Sequence, residues 1–205
     1  MTDGKGDRGD TAPADISSAA ALHAPQRHPV PNLYPLPGAA PTGSPKQPDE
    51  FMAALLEGFG DDAVMEDSHG QDVVRLDSGR WLEFAQAAKQ AGFDMCADIT
   101  AVDWFRHRRE RFELVANLLS TKHRRRLRVL IPLPADEPII ESVVSVWPGA
   151  GYAERETYDM YGVVFEDNPD MTRILMPDDW EGHPLRKDFS VGAVPVQFKG
   201  NPKAT

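Results

Sequence analysis

Three runs built from strand-forming residues, "ADITAVDW", "RFELVANLL" and "RLRVLIPL", follow one another with only "FRHRRE" and "STKHRR" between them. Connections this short suit hairpins, whereas a parallel crossover takes a dozen residues or more. The three runs are therefore expected to form an antiparallel meander, and the rest of the chain must pack against it.

Upstream, "DEFMAALLEGFG" reads as a short helix with Asp49 as N-cap and glycines at its end. "DAVMED" and "QDVVRLD" flank "SHG", where Gly70 can take positive φ, so these runs read as a hairpin. "SGRWLEFAQAAKQAG" places Trp81, Phe84, Ala85 and Ala88 on one helical stripe, with Gly92 suited to C′. Downstream, "DEPIIESVVSVW" is predicted as a helix because Ile140, Val143, Val144 and Trp147 fall at i, i+3, i+4 and i+7 and Pro138 is tolerated in a first turn. "AERETYDMYG" is predicted as another, ended by Gly162. The order helix, two strands, helix, three strands, helices gives an α+β class: a mixed sheet with an antiparallel meander packed on helices.

Long flanks surround this core. Residues 1–48 carry nine of the eighteen prolines and few large apolar side chains, too little to offset the entropy of ordering. Within them "HPVPNLYPLPG" supplies Val30, Leu33, Tyr34 and Leu36, so the arm is either a plain linker or a docking segment. After Gly162 no hydrophobic period is sustained, and the chain is expected to extend over a surface. The division is thus a Pro/Ala-rich N-terminal arm (1–48), an α+β core (49–162) and an extended C-terminal tail (163–205).

Composition excludes several functions. The formal charge of −10 opposes general binding to nucleic acid or anionic lipid. The single cysteine, Cys96, rules out a disulfide within the chain and an iron–sulfur cluster held by four thiolates of this chain alone. No apolar run approaches the roughly 20 residues that span a bilayer, and the N-terminus lacks the layout of a secretory signal, so a soluble, intracellular chain is expected. The six histidines show no metal-ligand spacing, and no phosphate-binding glycine motif or nucleophile elbow is present.

The densest charges lie in "ERETYDMYG" and "GHPLRKDF". Glu154 and Glu156 could suggest a catalytic pair, but two helical positions apart their side chains diverge by about 200°. Arg155 can meet Asp159 at i, i+4, so a structural ion-pair and capping helix stands beside a site role as an equal reading. The basic clusters at 106–111 and 122–128 sit in successive turns of the meander, at opposite ends of the sheet, and do not merge into one phosphate-binding stripe.

The stretch from Trp147 to Phe189 resembles the C-terminal motif of the 30 kDa subunit of respiratory complex I, which in bacteria is the C-type subunit of NADH:quinone oxidoreductase, and the likeness extends over about residues 50–190. Glu154, Arg155, Glu156, Asp159, Gly162, Pro169, Arg173, Leu175, Gly182, Pro184, Leu185, Arg186, Lys187 and Asp188 match the family pattern. Asn168 and Thr172 depart from it, standing where the family commonly has basic residues.

The resemblance implies a non-redox structural subunit of the peripheral arm of a proton-translocating enzyme. It would have no catalytic centre, metal or cofactor of its own, with FMN, iron–sulfur clusters and quinone in partner subunits. It implies docking on the quinone-site (49 kDa, D-type) subunit beside the iron–sulfur subunits of B and I type. Contact with the membrane would come only through the complex, peripherally at the cytoplasmic face, and the ending at Thr205 implies that the C-type and D-type subunits are separate chains. Glu154, Arg155, Glu156, Asp159, Arg173, His183, Arg186, Lys187 and Asp188 are the implied subunit-interface residues. Arg186, Lys187 and Asp188 are expected to be solvated and mobile in the free chain, and ordered only against the partner. The same fold could also serve a related membrane-bound hydrogenase or a quinone oxidoreductase with another electron donor.

Overall fold

A computed structural model describes residues 43–190; the Val30, Leu33, Tyr34 and Leu36 segment lies outside them. Strand β1 (Ser44–Pro45) is followed by helix α1 (Glu50–Leu56), whose N-cap Asp49 accepts from the Met52 N–H at 2.9 Å, as expected. Strands β2 (Ala63–Ser68) and β3 (Gln71–Leu76) form the predicted hairpin, with His69 and Gly70 both at positive φ. Helix α2 (Trp81–Gln90) buries Trp81, Phe84, Ala85 and Ala88 completely, and Gly92 follows at φ +100°. Full burial of each aromatic contributes about 1.5–3 kcal/mol of hydrophobic stabilisation.

The meander is β4 (Met95–Asp103), β5 (Phe112–Ser120) and β6 (Arg125–Leu133), antiparallel throughout. A parallel pairing of β3 with β6 fuses hairpin and meander into one six-stranded mixed sheet, ordered β1-β2-β3-β6-β5-β4. Alternation then separates two faces. Phe112, Leu114, Ala116 and Leu118 join Leu127, Val129, Ile131 and Leu133 in the core under α1 and α2. Glu113, Val115, Asn117 and Leu119 point the other way. The turns carrying the two basic clusters lie at opposite ends of β5, as the meander requires.

One predicted helix is absent. Residues 139–141 form strand β7 (Ile139–Glu141), and Ser142–Trp147 follow as an irregular turn. The β-branched residues suit the extended state, where β7 pairs in parallel with β8 (Val164–Glu166) and the Ser142 N–H donates to the Glu166 carbonyl at 2.8 Å. The apolar spacing that suggested a helix still buries Ile140, Val143 and Trp147 in the core. Helix α3 (Ala150–Tyr161) then packs on β4, where the Thr157 hydroxyl donates to the Ile99 carbonyl at 3.0 Å. Gly162 ends it at φ +75°, as predicted. The α+β class with a mixed sheet and meander is the architecture observed.

Candidate interface site at helix α3

Helix α3 carries two fully enclosed carboxylates on different faces. Glu154 accepts from the Val143 N–H at 2.8 Å, the Ser142 hydroxyl at 2.7 Å and the Asn168 amide at 2.7 Å. These donors are neutral, so burial pushes the Glu154 carboxyl above its ordinary range and the three bonds offset only part of that. Glu156 is exposed on the far side of the helix, which confirms that the two glutamates do not converge.

Asp159 has a different setting. One oxygen accepts from Arg173 at 2.6 Å, and the other from the consecutive N–H groups of Ile174, Leu175 and Met176 at 3.1, 2.8 and 2.8 Å. Burial would raise its pKa, but these donors outweigh that and hold the carboxyl below the usual range. Arg155 does not meet Asp159 as the i, i+4 spacing suggested. It reaches instead to the Thr172 carbonyl and hydroxyl at 3.0 and 2.8 Å, and to the Arg173 carbonyl at 3.1 Å.

The chain after Arg173 returns to cap α3. A helix leaves its last carbonyls without intrahelical partners. Here His183 Nδ1 bonds the Asp159 carbonyl at 3.0 Å, the Leu185 N–H donates to that of Met160 at 3.0 Å, and the Arg186 guanidinium donates to those of Tyr161 and Gly162. Gly162 is required twice. Its left-handed conformation favours glycine, and a Cβ there would run into Arg186 and stand 2.6 Å from the His183 ring. Burial, more than the cations of Arg186 and Arg173, holds the His183 pKa below its ordinary value. Burial and the nearby Arg111 likewise lower that of Arg186, which stays charged beside the helix C-terminus.

A second anchor lies at the end of β4. Asp103 is buried and accepts from Arg111 at 2.9 and 2.7 Å, from the Phe105 N–H at 2.9 Å and from the Lys187 N–H at 2.9 Å. Arg111 also forks onto Asp188 at 2.9 and 2.6 Å. Burial opposes ionisation of Asp103, but the Arg111 and Lys187 bonds hold its pKa low; the Arg111 bond leads the same shift in Asp188.

Arg186 and Asp188, and the backbone of Lys187, are therefore ordered on this chain's own core. The expected solvation does not hold for Arg186, because α3 offers buried carbonyls that need partners, whereas Asp188 stays largely exposed while pairing with Arg111. Lys187 extends an exposed side chain.

Sequence reasoning missed Asp103, Arg111 and Ser142 as parts of this site. The readable signal was Asp103 itself, a carboxylate that continues the alternation of Ile99 and Ala101 along a core-facing strand. Asn168 and Thr172, which depart from the family pattern, both take up hydrogen bonds, to Glu154 and Arg155 respectively.

The anchored segment leaves Ile174, Leu175 and Leu185 exposed, at 38, 55 and 51%. Among the described residues no three His, Cys, Asp or Glu side chains cluster as a metal site would need. Burial pushes the Cys96 thiol up to about 12. No helix among the described residues is long and apolar enough to cross a membrane.

Comparison with known proteins assigns the chain to a family. The family described as respiratory-chain NADH dehydrogenase, 30 Kd subunit, matches residues 74–194, more than half of the 205-residue chain. The chain belongs to this family. The C-type subunit of NADH-quinone oxidoreductase from Saccharopolyspora erythraea is 39% identical over 83% of this chain and 72% of its own length. The protein of the same name from Salinispora tropica is 38% identical over 96% of this chain and 80% of its own.

Two solved structures share the fold of this chain. The trypsin-resistant fragment of Nqo5 superposes with a TM-score of 0.54 at 32% identity, covering 58% of this chain and 97% of the fragment. A chain of the membrane-bound sulfane sulfur reductase, an archaeal respiratory membrane complex, gives a TM-score of 0.62 at 26% identity, over 76% of this chain and 97% of that one.

Proposed function

We propose that this member of the 30 kDa subunit family is a non-redox structural part of the peripheral arm of proton-translocating NADH:quinone oxidoreductase, on the cytoplasmic face of the bacterial membrane. It docks on the quinone-site subunit, next to the B-type and I-type iron–sulfur subunits, while FMN, clusters and quinone reside in partner subunits of the complex. Its contribution to turnover is positional, because electron transfer depends on how cofactors are held. The three-part division into arm, core and partner-wrapping tail belongs to the same proposal.

One observation carries this reading. The Asp159, Arg173 and Arg111 bonds fix the C-terminal segment on the core and leave Ile174, Leu175 and Leu185 exposed. A segment already ordered brings apolar anchors to a partner without a large ordering penalty at docking. Glu156 and the Lys187 side chain, both exposed, lie at the polar rim of such a contact.

Leu175→Asp with Leu185→Asp tests it. Assembled complex and NADH:quinone turnover should fall by at least about tenfold, equivalent to 1.4 kcal/mol, while the melting temperature of the isolated chain stays nearly unchanged. Full assembly in the double variant would defeat the proposal.

The likeness to an archaeal complex named for sulfane sulfur reduction favours a second reading, service in a related enzyme with other redox partners. Copurification of an NADH-oxidising flavin subunit would separate the two.

A further inference from the structure

We propose that the sheet face opposite the helices docks an acidic, partly apolar segment of a partner polypeptide, with a carboxylate of that segment held by Arg128 and Arg126. This rests on the reading of the chain as one subunit of a larger assembly, and adds a face to which Ile174, Leu175 and Leu185 do not belong.

The pleat of β6 divides its arginines. Arg125 turns to the helix side, where it pairs with Asp49 and stands 3.9 Å from Asp72. Arg126 and Arg128 fall on the opposite side, two residues and roughly 7 Å apart along the strand. Neither has a carboxylate partner among the described residues. Arg126 makes no hydrogen bond there, and Arg128 makes one, from Nε to the Asn117 Oδ1 at 3.3 Å. That bond tethers the guanidinium to β5 and leaves both Nη groups open. Two N–H donors in one plane are what a carboxylate takes in a fork.

Elsewhere the face is balanced. Arg75 bonds Glu66 at 3.1 Å and Glu113 at 2.9 Å, and Arg108 reaches Glu113 at 2.6 Å. Asp98 faces the same side, but on β4, two strand spacings or roughly 10 Å from β6, and it pairs with neither arginine. The two β6 cations are the groups that still lack a counter-charge.

The surroundings of Arg128 specify the occupant further. It lines two hollows, one of about 330 Å³ shared with Asn117 and Arg126, the other of about 290 Å³ shared with Val102, Val115 and Leu130. A free carboxylate or phosphate would leave the second unfilled. A polypeptide fills both when an acid and an apolar residue are placed roughly 7 Å apart, as at i and i+2 of an extended segment or i and i+4 of a helix. Nucleic acid or an anionic lipid surface would set further phosphates against Asp98, Glu66 and Glu113, on a chain whose net charge is −10.

Carbodiimide coupling in the assembled complex tests this. Arg128→Lys keeps the cation and supplies an amine. The carbodiimide activates a carboxyl held beside it, the amine attacks, an amide bond forms, and the lost water leaves within the urea product. Gln86→Lys, exposed on α2 on the helix side, is the control. Arg128→Lys should join an Asp or Glu of another subunit at about tenfold the control yield, read from the masses of the linked peptides. Arg126→Lys repeats the test should the first variant fail to assemble. Equal yields in variant and control would overturn the proposal, as would amides formed only with carboxyls of this chain. Linked dimers of this chain would assign the face to a second copy instead. Copurification of an NADH-oxidising flavin subunit reports on the complex I reading separately: coupling within some other enzyme would overturn that reading and uphold the docking face, and the flavin subunit without coupling would do the reverse.

Discussion

Glu154 and Asp159 are both enclosed, both carboxylates and only five residues apart on one helix, yet their surroundings pull in opposite directions. Glu154 holds the β7–β8 end together through neutral donors, and its ionised form is disfavoured by burial. Asp159 holds the C-terminal segment through an arginine and three backbone N–H groups, and its ionised form is favoured. The difference shows that burial alone does not decide what a charge does; the donors arranged around it do. One end of α3 is a conventional polar joint. At the other, the charge organises a segment with little hydrophobic burial of its own.

The largest expected effect comes from removing that organiser. Asp159→Ala strands the half-buried Arg173 and three N–H groups, and should destabilise the isolated chain by about 3–5 kcal/mol in urea unfolding. A loss below 1 kcal/mol would mean that the segment is not held as described. Gly162→Ala should come next, at about 2 kcal/mol, from left-handed strain and from displacing His183 and Arg186 off the helix end.

Glu154→Gln should destabilise by about 1–2 kcal/mol at neutral pH, because an amide can keep the Val143 bond while the Ser142 hydroxyl turns to accept, but its NH2 then faces that of Asn168, which loses its acceptor. Its pH signature is sharper. A carboxyl whose pKa is raised on folding stabilises most below 4.5, its unfolded value, and loses that contribution as pH rises through the folded pKa. The variant should lose this component of the unfolding profile, and an unaltered slope would contradict the raised pKa.

The smallest effect belongs to His183. Its depressed pKa means that the unfolded chain binds the proton first, so its contribution is complete above 6.5 and declines as pH falls from there through the folded pKa. Melting temperature should drop slightly over that window in the native chain, and His183→Asn should flatten the drop.

Legibility in the sequence follows the same divide. The meander, the hairpin and three of the four predicted helices were readable because periodicity, caps and glycines agreed locally. Residues 139–147 were misread because their spacing of apolar residues fits either a helix or a strand-and-turn, and the pairing with β8, more than twenty residues away, decides between them. Glu154, Asp159, Arg173 and Arg186 were flagged through family resemblance, but the pairing of Asp159 with Arg173 and the partners of the other two were not. Asp103 and Arg111 lie 84 and 77 residues from the Lys187 and Asp188 groups they hold, and no local pattern encodes such a contact. The anchoring of Arg186–Asp188 was hidden for that reason.

Backbone hydrogen exchange at Ile174, Leu175 and Met176 in the isolated chain tests the central claim most directly. If Asp159 holds the segment on α3, these amides exchange slowly in the native protein and at near-unprotected rates in Asp159→Ala, with α2 and the meander strands still protected. Near-unprotected exchange at all three in the native chain would contradict the account, and would mean that the segment takes its order from a partner.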